Sequence, residues 1–355
     1  MTTQDSSLDL QAHVKNAIKN NTALCIQGGN SKSFYGRTPI GQTLKINDHS
    51  GIINYEPTEL VITARAGTPL KEIEYALLEN NQILPFEPPH YGNNATLGGT
   101  VACNLSGPRR AAAGAARDYM LGCKVLNGKG EIISFGGEVM KNVAGYDVSR
   151  LMAGALGTLG VLLEVSLKVL PRPEAEITLT LEHNTEKALA KIIRLAQVNF
   201  PISANCYDGD RLFLRLSGTE GAVETSKKPI GGEIIETEHD IWQKIKEQQH
   251  GFFMTDQPLW RLSVAADTPP IKLEGKWLYE WNGALRWLVS SASAETIQAA
   301  AKKIGGHATR YRGHDQNHID VFHPLSPALL NLHKKLKHAF DPHGIFNRGR
   351  MYPDF

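Results

Sequence analysis

Apolar and polar positions in the first part of the chain predict a series of short strands and helices. After Ser7, apolar residues recur at the spacing of a helix, which predicts an amino-terminal helix capped by that serine. Its apolar face consists of Leu10, Val14, Ala17 and Ile18. The run 60–66 is typical of a strand, and Thr68 followed by Pro69 predicts the start of a second helix, which carries Leu70, Ile73 and Leu77.

A hairpin and a long strand are predicted in the following part. The segments 123–126 and 131–135 flank the connection 127–130, and such a Gly-containing connection between two apolar runs favours a β-hairpin. Apolar residues then alternate with their neighbours over 161–169, which predicts a strand that leaves this part of the chain at Pro171.

Beyond residue 173 the pattern changes and predicts a separate sheet with helices on one face, an α+β arrangement. Predicted helices cover 185–198, 239–249 and 294–304, and predicted strands cover 202–206, 211–216, 260–265, 277–281 and 285–290. The stretch 217–238 is polar and weakly patterned. Ser326 and Pro327 predict the start of a last helix, which ends at Asp341. Its apolar stripe is Leu329, Leu332, Leu336 and Phe340.

Composition and charge narrow the class of protein. The length of 355 residues and a hydrophobic share of 41% favour a globular protein of two domains, or of one domain with a large insertion. Lys and Arg total 38 against 36 Asp and Glu, so the net charge gives no reason to expect nucleic acid or an anionic membrane as a partner. The sequence shows no signal peptide and no apolar run of membrane-spanning length. We therefore expect a cytoplasmic protein that could reach a membrane only through partner subunits.

The cysteines do not form a recognisable ligand pattern. Cys25, Cys103, Cys123 and Cys206 are scattered and include no CxxC pair. This spacing argues against a disulfide framework, a zinc site or an iron–sulfur cluster in this chain, and it fits a reducing compartment.

Two separate segments of small residues carry the strongest chemical signal. The segment 28–31 reads GGNS and follows a short apolar run, but its spacing matches neither GxGxxG nor GxxxxGK[ST]. The segment 95–118 contains four glycines and almost no large side chain, and Thr96, Asn104 and Ser106 add neutral donors. Small side chains let the backbone approach a ligand, and free N–H groups can bind phosphate oxygens without lysine. A tightly packed turn or helix explains either segment alone, whereas both together favour an extended diphosphate ligand.

A third segment, 141–160, is also rich in small residues, and its sequence is KNVAGYDVSRLMAGALGTLG. Taken alone, it is most simply a turn that leads into the strand predicted over 161–169. It supports a ligand site only together with the two segments before it.

The order of these motifs resembles that of a known flavoprotein superfamily. GGNS is followed by PPHYGNNATLGGTVACNLSGPRRAAAGAARDYMLG, then by the third segment, and near the end by FDPHGIFNRGRMYP. This order is similar to the FAD-binding domain of the vanillyl-alcohol oxidase / p-cresol methylhydroxylase superfamily, over 23–171 and 340–353. Shorter pieces, such as NYEPTELVITARAGTPL, LPFEPPHYG and LWRLSV, resemble the FAD-binding subunit of bacterial glycolate oxidases.

The resemblance implies a fold and a set of cofactor-binding residues. It implies an α+β protein with a two-part p-cresol methylhydroxylase-type FAD-binding domain (1–172), a smaller α+β cap domain with an antiparallel sheet (173–310) and a carboxyl-terminal return (311–355). Gly28, Gly29, Asn30 and Ser31 would hold the FAD pyrophosphate through backbone N–H groups. Residues implied to line the rest of the pyrophosphate, ribityl and flavin region are Pro88, Thr96, Gly98, Gly99, Asn104, Gly107, Gly114 and Asp118. Gly160 and Val161 would contact the adenosine side, and Asn347 would contact the flavin.

The mode of FAD attachment follows from one position. Relatives in this superfamily often tether FAD through a histidine placed after the first glycines, and here that place holds Asn30 and Ser31. We therefore expect noncovalent FAD. His90 is the alternative tether, although its place beside Pro88 and Pro89 favours a loop or pocket-lining residue.

Catalytic residues are far less evident than binding residues. Oxidation of a 2-hydroxy acid needs a hydride acceptor, a base for the hydroxyl proton and usually an arginine for the carboxylate. The His-rich cap motif of related hydroxy-acid dehydrogenases, similar to HxxDGNxH, has no copy here. Candidates are Arg261, with Trp281 beside the flavin edge, and His314. A charge at the rim explains Arg261 more simply, and packing in the core explains Trp281 more simply. Solvated loop positions are the simpler explanation for His314, His318 and His323.

The sequence leaves two classes of function open. In the first, the chain is the FAD-binding subunit of a complex that oxidises glycolate to glyoxylate, with a catalytic flavoprotein subunit and an iron–sulfur subunit as partners. In the second, it binds FAD as an assembly or electron-relay subunit without substrate chemistry of its own. A third interpretation is a free-standing hydroxy-acid or alcohol oxidase of the same fold.

Overall fold

The computed structural model describes residues 3–137, 147–235, 238–313 and 321–355. Its helices are α1 (Ser7–Lys19), α2 (Leu70–Leu78), α3 (Leu97–Cys103), α4 (Arg110–Ala113), α5 (Val148–Met152), α6 (Thr185–Ala196), α7 (Glu220–Ile230), α8 (Glu238–Lys246), α9 (Ala294–Lys303) and α10 (Pro327–Phe340). Its strands in the first half are β1 (Leu24–Gln27), β2 (Gln42–Lys45), β3 (Ile52–Glu56), β4 (Val61–Arg65), β5 (Gln82–Ile83), β6 (Met120–Leu126), β7 (Ile132–Gly136), β8 (Val161–Lys168) and β9 (Leu170–Pro171). The later strands are β10 (Ala175–Glu182), β11 (Ile202–Tyr207), β12 (Arg211–Gly218), β13 (Glu233–Ile234), β14 (Leu259–Ser263), β15 (Lys276–Glu280), β16 (Leu285–Val289) and β17 (His307–Arg312).

The first part of the chain forms three sheets, one of which is the short antiparallel pair β5–β9. Strands β1 and β2 pair in parallel, and Leu24 in β1 also bridges to Phe346 near the carboxyl terminus. Five further strands pair antiparallel in the order β3-β4-β8-β6-β7. Strand β8 lies at the centre of this sheet, and most of its residues are buried because both faces are covered. The first glycine segment follows β1, and the second and third glycine segments lead into β6 and β8.

A larger antiparallel sheet follows, which we call the cap sheet. Its strand order is β13-β10-β12-β11-β15-β16-β14-β17. Helix α6 packs against one face through Ala188, Leu189, Ile192 and Leu195. Strand β9 of the first part and strand β10 of the cap sheet are separated by only three residues, 172–174. The predicted domain limits of 1–172, 173–310 and 311–355 stay a prediction.

Most elements predicted from periodicity are confirmed. These are the helices over 185–198, 239–249 and 294–304, the 123–135 hairpin, and the strands over 60–66, 161–169 and in the cap sheet. Helix α7 was not predicted, because its charged and small residues show little apolar periodicity and Pro229 lies in its last turn. Strands β2 and β3 were also missed, since they are short and mostly not buried.

Two predicted helix caps are wrong by one position. Ser6, not Ser7, precedes the first residue of α1 and makes no side-chain cap. Pro69 precedes α2 instead of opening it, and the hydroxyl of Thr68 accepts a hydrogen bond from the N–H of Gly51 at 2.9 Å. In contrast, Ser326 caps α10 as predicted, with its hydroxyl accepting from the N–H of Leu329.

The carboxyl-terminal return is fixed by a buried ion pair. The Nζ atom of Lys337 in α10 donates to Asp341 Oδ2 at 2.6 Å, to the carbonyl of Thr158 at 2.7 Å and to that of Phe346 at 2.8 Å. Asp341 in turn accepts from the N–H groups of Ile345 and Phe346. Every proton of this buried ammonium therefore has an acceptor, and the return is held against the 155–160 loop.

The apolar stripe predicted for α10 is only half buried against the protein. Leu336 and Phe340 pack on the main core, whereas Leu329 and Leu332 are exposed. Among the described helices, none combines the length and hydrophobicity needed to cross a bilayer.

Candidate functional site

Four segments that are far apart in sequence enclose a cleft, which we call the glycine cleft. They are β1, β2 and their connection (25–46), helix α3 with Thr96 before it (96–103), the segment 152–162 and the carboxyl-terminal residues Asn347 and Arg350. The cavity volume is about 400 Å³, within the range of small-molecule sites. The convergence of separate small-residue segments predicted from the sequence is therefore present.

The first two glycine segments contact each other directly. A side chain on Gly28 would lie 2.5 Å from the Thr96 hydroxyl, and one on Gly29 would overlap the carbonyl oxygen of Asn94. Glycine at these two positions is therefore required by protein packing as well as by any ligand. A side chain on Gly99 would meet only the Thr96 hydroxyl, at 3.2 Å. Gly99 thus borders the open space of the cleft.

Backbone N–H groups of the first glycine segment are available to a ligand. Among the described residues, no acceptor is paired with the N–H groups of 28–32, although these residues line the cleft. Asn30 has a left-handed backbone with φ of 60°, which turns successive N–H groups toward one side. A row of unpaired N–H groups is the donor set that binds a diphosphate, so FAD fits the site on this observation.

Asn347 organises the floor of the cleft. Its carboxamide oxygen accepts from the N–H of Ile26 at 2.7 Å, and its carboxamide nitrogen donates to the carbonyl of Leu156 at 2.6 Å. Gly157 has φ of 71°, and a side chain there would lie 2.6 Å from the Asn347 amide nitrogen. Asn347 therefore ties β1 to the 152–162 segment, and its side chain already has both kinds of partner.

The cleft is also lined by two cationic side chains that were not predicted from the sequence, the buried Lys32 and the half-buried Arg350. Lys32 is 7% exposed, and its Nζ lies 3.4 Å from the His90 carbonyl oxygen and from the Ser31 hydroxyl. Arg350 donates to the backbone carbonyls of Arg37 and Lys32. Within the described ranges neither forms an ion pair with a carboxylate, and burial lowers the pKa of both side chains. The cleft therefore holds two positive charges without a directly paired carboxylate among the described residues, which favours an anionic ligand.

The structure brings some of the predicted binding residues together and leaves others elsewhere. Those that line the cleft are Gly28, Gly29, Asn30, Ser31, Thr96, Gly98, Gly99, Gly160 and Asn347. Those that lie outside its lining are Pro88, Asn104, Gly107, Gly114, Asp118 and Val161. Several of the latter have structural contacts: Asn104 accepts from the N–H of Arg117, Asp118 accepts from the N–H of Ala115, and Val161 is buried in β8.

The proposed alternative tether points elsewhere. The His90 imidazole Nε2 lies 2.9 Å from Glu74 Oε2, and His90 is not among the residues that line the cleft. Its backbone N–H is held by the carboxylate of Glu247. His90 is therefore engaged as a loop residue, in line with the simpler interpretation of its position.

The structure describes only some of the catalytic candidates predicted from the sequence. Arg261 in β14 and Trp281, directly after β15, are in contact in the cap sheet, and the guanidinium carbon lies 5.1 Å from the indole centroid. His314 and His318 lie outside the described residues. His323 is partly buried near the N–H of Ala308. In the described part of the chain, no three His, Cys, Asp or Glu side chains are grouped as metal ligands.

Comparisons with known proteins agree with this geometry. The FAD binding domain family matches residues 3–136. The glycolate oxidase subunit GlcE of Escherichia coli (strain K12) is 50% identical over 350 residues, which cover 99% of this chain and 98% of that protein. The glycolate oxidase subunit GlcD of Bacillus subtilis (strain 168) is 31% identical over 192 residues, which cover 54% of this chain and 41% of that protein.

Solved structures show the same fold at low identity. Alkyldihydroxyacetonephosphate synthase, in two crystal forms, matches with TM-scores of 0.68 and 0.69 at 14% identity, over 98% of this chain. These matches confirm the predicted fold class, and the matched domain family confirms FAD as the cofactor. By its similarity to GlcE over almost the whole of both chains, the protein belongs to the family of that glycolate oxidase subunit.

Proposed function

We propose that this chain binds FAD noncovalently in the glycine cleft and acts as the FAD-binding subunit of an enzyme that oxidises glycolate, or a similar 2-hydroxy acid, to the 2-oxo acid. The observation that carries the proposal is the run of unpaired N–H groups at 28–32, where two glycine segments meet, in a relative of GlcE. Bound FAD would supply the hydride acceptor. Asn30 stands where a tethering histidine would be, which supports noncovalent binding.

The residues of this chain would position the cofactor and balance its charge. The N–H groups of 28–32 would bind diphosphate oxygens, and Lys32 and Arg350 would add positive charge from the sides of the cleft. Asn347 would keep the floor of the cleft in place through its two hydrogen bonds. The remaining predicted binding residues stay part of this proposal.

Partner subunits are part of the same proposal. The partners would be a catalytic flavoprotein subunit and an iron–sulfur subunit. The iron–sulfur subunit would pass electrons onward, since the four cysteines of this chain include no pair spaced for a cluster. A cytoplasmic complex, associated with a membrane only through such partners, is the location we propose.

Gly99→Asp tests the cofactor site. The new side chain has space, because only the Thr96 hydroxyl is near, but its carboxylate would enter a cleft built for an anion. We expect the purified variant to lose flavin absorbance while its circular dichroism stays unchanged. Gly221→Asp, at an open position in the first turn of α7, is the matched control and should retain one flavin per chain. Stoichiometric flavin in Gly99→Asp would contradict the placement.

Anaerobic addition of glycolate separates an enzyme subunit from an electron-relay subunit. Bleaching of the flavin in the isolated chain means that the chain itself oxidises the substrate. Bleaching only after the partner subunits are added supports a role that depends on the complex. Absence of bleaching in the assembled complex would refute glycolate oxidation through this flavin.

A further inference from the structure

The backbone of His90 and Tyr91 is held by one carboxylate at the end of helix α8. Glu247, the residue after α8, accepts from the N–H of His90 at 3.1 and 3.2 Å and from the N–H of Tyr91 at 2.7 Å. The Glu247 side chain is 8% exposed. Hydrogen bonds to an ionised acceptor are stronger than those between neutral groups. Glu247 therefore fixes the backbone of these two residues, which we call the 90–91 loop.

Helix α8 packs on the cap sheet, so this contact joins the cap sheet to the first part of the chain. The Trp242 indole N–H in α8 donates to the Thr178 hydroxyl of β10 at 2.7 Å. A second cap residue, Tyr311 of β17, meets the loop through a hydrogen bond of 2.9 Å between its hydroxyl and that of Tyr91. The 90–91 loop is therefore attached to the cap sheet region at two points.

The same loop also contacts Lys32 of the glycine cleft. The Nζ atom of Lys32 lies 3.4 Å from the His90 carbonyl oxygen and 5.8 Å from the centroid of the Tyr91 ring. Phe34 packs on the same ring at a centroid distance of 5.4 Å. Lys32 lines the cleft, whereas Glu247 does not. The loop therefore lies between a carboxylate of the cap region and a cation of the proposed cofactor site.

Lys32 is a buried ammonium whose protein partners are incomplete. Lys32 and Lys337 are each 7% exposed. The Lys337 ammonium has three oxygen acceptors at 2.6–2.8 Å, whereas the Lys32 ammonium has two among the described residues, both at 3.4 Å. An ammonium carries three donor protons, so that of Lys32 has the capacity for a further acceptor. Because Lys32 lines the cleft, a bound anion can supply that acceptor.

Glu247 also acts on the charge of Lys32. Burial lowers the pKa of Lys32, whereas Cys103 and Glu247 oppose this decrease. The ion-pair contact of Glu247 in the described part of the chain is with Lys246, at 3.6 Å between Oε1 and Nζ. The negative charge of Glu247 would by itself repel an anion in the cleft. Loss of the Glu247 charge should therefore tighten FAD binding if repulsion dominates and weaken it if positioning dominates.

We propose that the cap sheet controls the affinity of the glycine cleft for FAD through Glu247, a positioning residue that holds the 90–91 loop and thereby keeps the Lys32 ammonium available to the FAD diphosphate. This inference rests on the proposed placement of FAD and adds a residue outside the cleft that governs its binding. The coupling is reciprocal, because FAD bound at Lys32 also holds the loop against the cap sheet.

Calorimetric titration of the full-length, flavin-free chain with FAD tests the proposal. We expect Lys32→Met to weaken FAD binding about tenfold or more, as for a lost hydrogen bond between charged groups. Glu247→Gln should weaken it about threefold or more, through its coupling to Lys32. Glu247→Asp keeps the charge but shortens the reach to the loop, so it should weaken binding as well. Glu224→Gln removes an exposed carboxylate of α7 and should leave the affinity unchanged.

A double-mutant cycle shows whether Glu247 acts through Lys32. In the Lys32→Met background, Glu247→Gln should cause no further loss of affinity, because the cation that Glu247 positions is absent. A merely structural role of Glu247 would lower the affinity equally in both backgrounds and would overturn the proposal. Unchanged or tighter FAD binding in Glu247→Gln would also overturn it. Thermal unfolding identifies a variant that does not fold, and Glu247→Asp then takes the place of Glu247→Gln in the cycle.

The outcome is separable from that of the proposed function. If Gly99→Asp loses its flavin while Lys32→Met and Glu247→Gln bind FAD like the parent protein, the placement of FAD stands and this inference is wrong. If Gly99→Asp retains stoichiometric flavin while Lys32 and Glu247 remain coupled in FAD binding, the cation site stands and the placement at Gly99 is wrong.

Discussion

Replacing Glu280 with glutamine should make the protein more stable at pH 8 and leave its stability near pH 4 almost unchanged. Glu280 ends strand β15 and is 4% exposed. Burial raises the pKa of its carboxyl group from 4.5 to about 7, against the opposing effects of the hydrogen bond from Trp287 and the charge of Arg261. The folded protein therefore retains a proton that the unfolded chain has already released above pH 4.5.

The size of the effect follows from the pKa difference. A carboxyl group with a raised folded-state pKa contributes stability below its unfolded pKa and loses it as the pH rises through the folded pKa. A rise from 4.5 to about 7 corresponds to roughly 3 kcal/mol, at about 1.4 kcal/mol for each pKa unit. Glutamine keeps an oxygen that can accept from the Trp287 indole N–H, now 2.7 Å from Glu280 Oε1, but it cannot ionise.

Urea unfolding of the full-length, FAD-loaded protein at several pH values between 4 and 8 measures this difference. The parent and Glu280→Gln curves should coincide near pH 4 and separate by roughly 3 kcal/mol at pH 8, most of the separation arising between pH 5 and 7. Glu274→Gln, at a carboxylate outside the described ion pairs, controls for the loss of one charge. A constant difference between parent and variant at all pH values would refute the argument from burial.

Three further changes test the packing of the cleft and of the carboxyl-terminal return. Lys337→Met should destabilise the protein by about 3–5 kcal/mol in urea unfolding, because it leaves the Asp341 carboxylate buried without its cation; an effect below 1 kcal/mol would contradict this. Gly29→Ala should lower the free energy of unfolding by about 1–3 kcal/mol, because the new methyl group would overlap the Asn94 carbonyl oxygen. Thermal unfolding like that of the parent protein would show that Gly29 and Asn94 are not in contact. Leu332→Lys on α10 should change the free energy of unfolding by less than about 0.5 kcal/mol, because that side chain already faces solvent. A large loss of stability would indicate that Leu332 is buried, as the sequence pattern predicted.

The convergence of the glycine segments could be predicted from sequence because it depends on backbone chemistry. A segment such as 28–31 or 95–118 consists mostly of small residues, so its composition favours a close partner or a ligand. Composition could not distinguish between these two, and the structure shows both: Gly29 packs on Asn94, whereas Gly99 borders the open cleft.

Lys32 and Arg350 could not be recognised because their burial is a tertiary effect. A lysine in a polar loop is normally solvated, and nothing near position 32 in the sequence indicates otherwise. It becomes buried because the 90–91 loop, almost sixty residues away, places the His90 carbonyl and the Tyr91 ring beside it. Arg350 is half-buried, and the same kind of long-range contact holds it, through the carbonyls of Arg37 and Lys32.

Helix α10 shows the limit of periodicity arguments. Its apolar residues recur at helical spacing, and the helix is present with the predicted cap at Ser326. Periodicity identifies a helix and one of its faces, but the extent to which other elements cover that face depends on the rest of the fold. The second half of α10 meets the core, whereas Leu332 in its first half does not.

The second glycine segment connects the cofactor site to the cap sheet. Thr96 and Gly99 at the start of α3 line the glycine cleft, the Gly107 carbonyl accepts from the Trp281 indole, and Arg110 lies against the same indole. The fifteen residues 96–110 therefore contact both the cleft and the cap sheet. Because one short segment makes both contacts, the position of the cleft is coupled to that of the cap sheet. A change at Gly107, where a side chain would also strike the Glu87 carbonyl oxygen, should disturb the cleft and the Trp281 contact together.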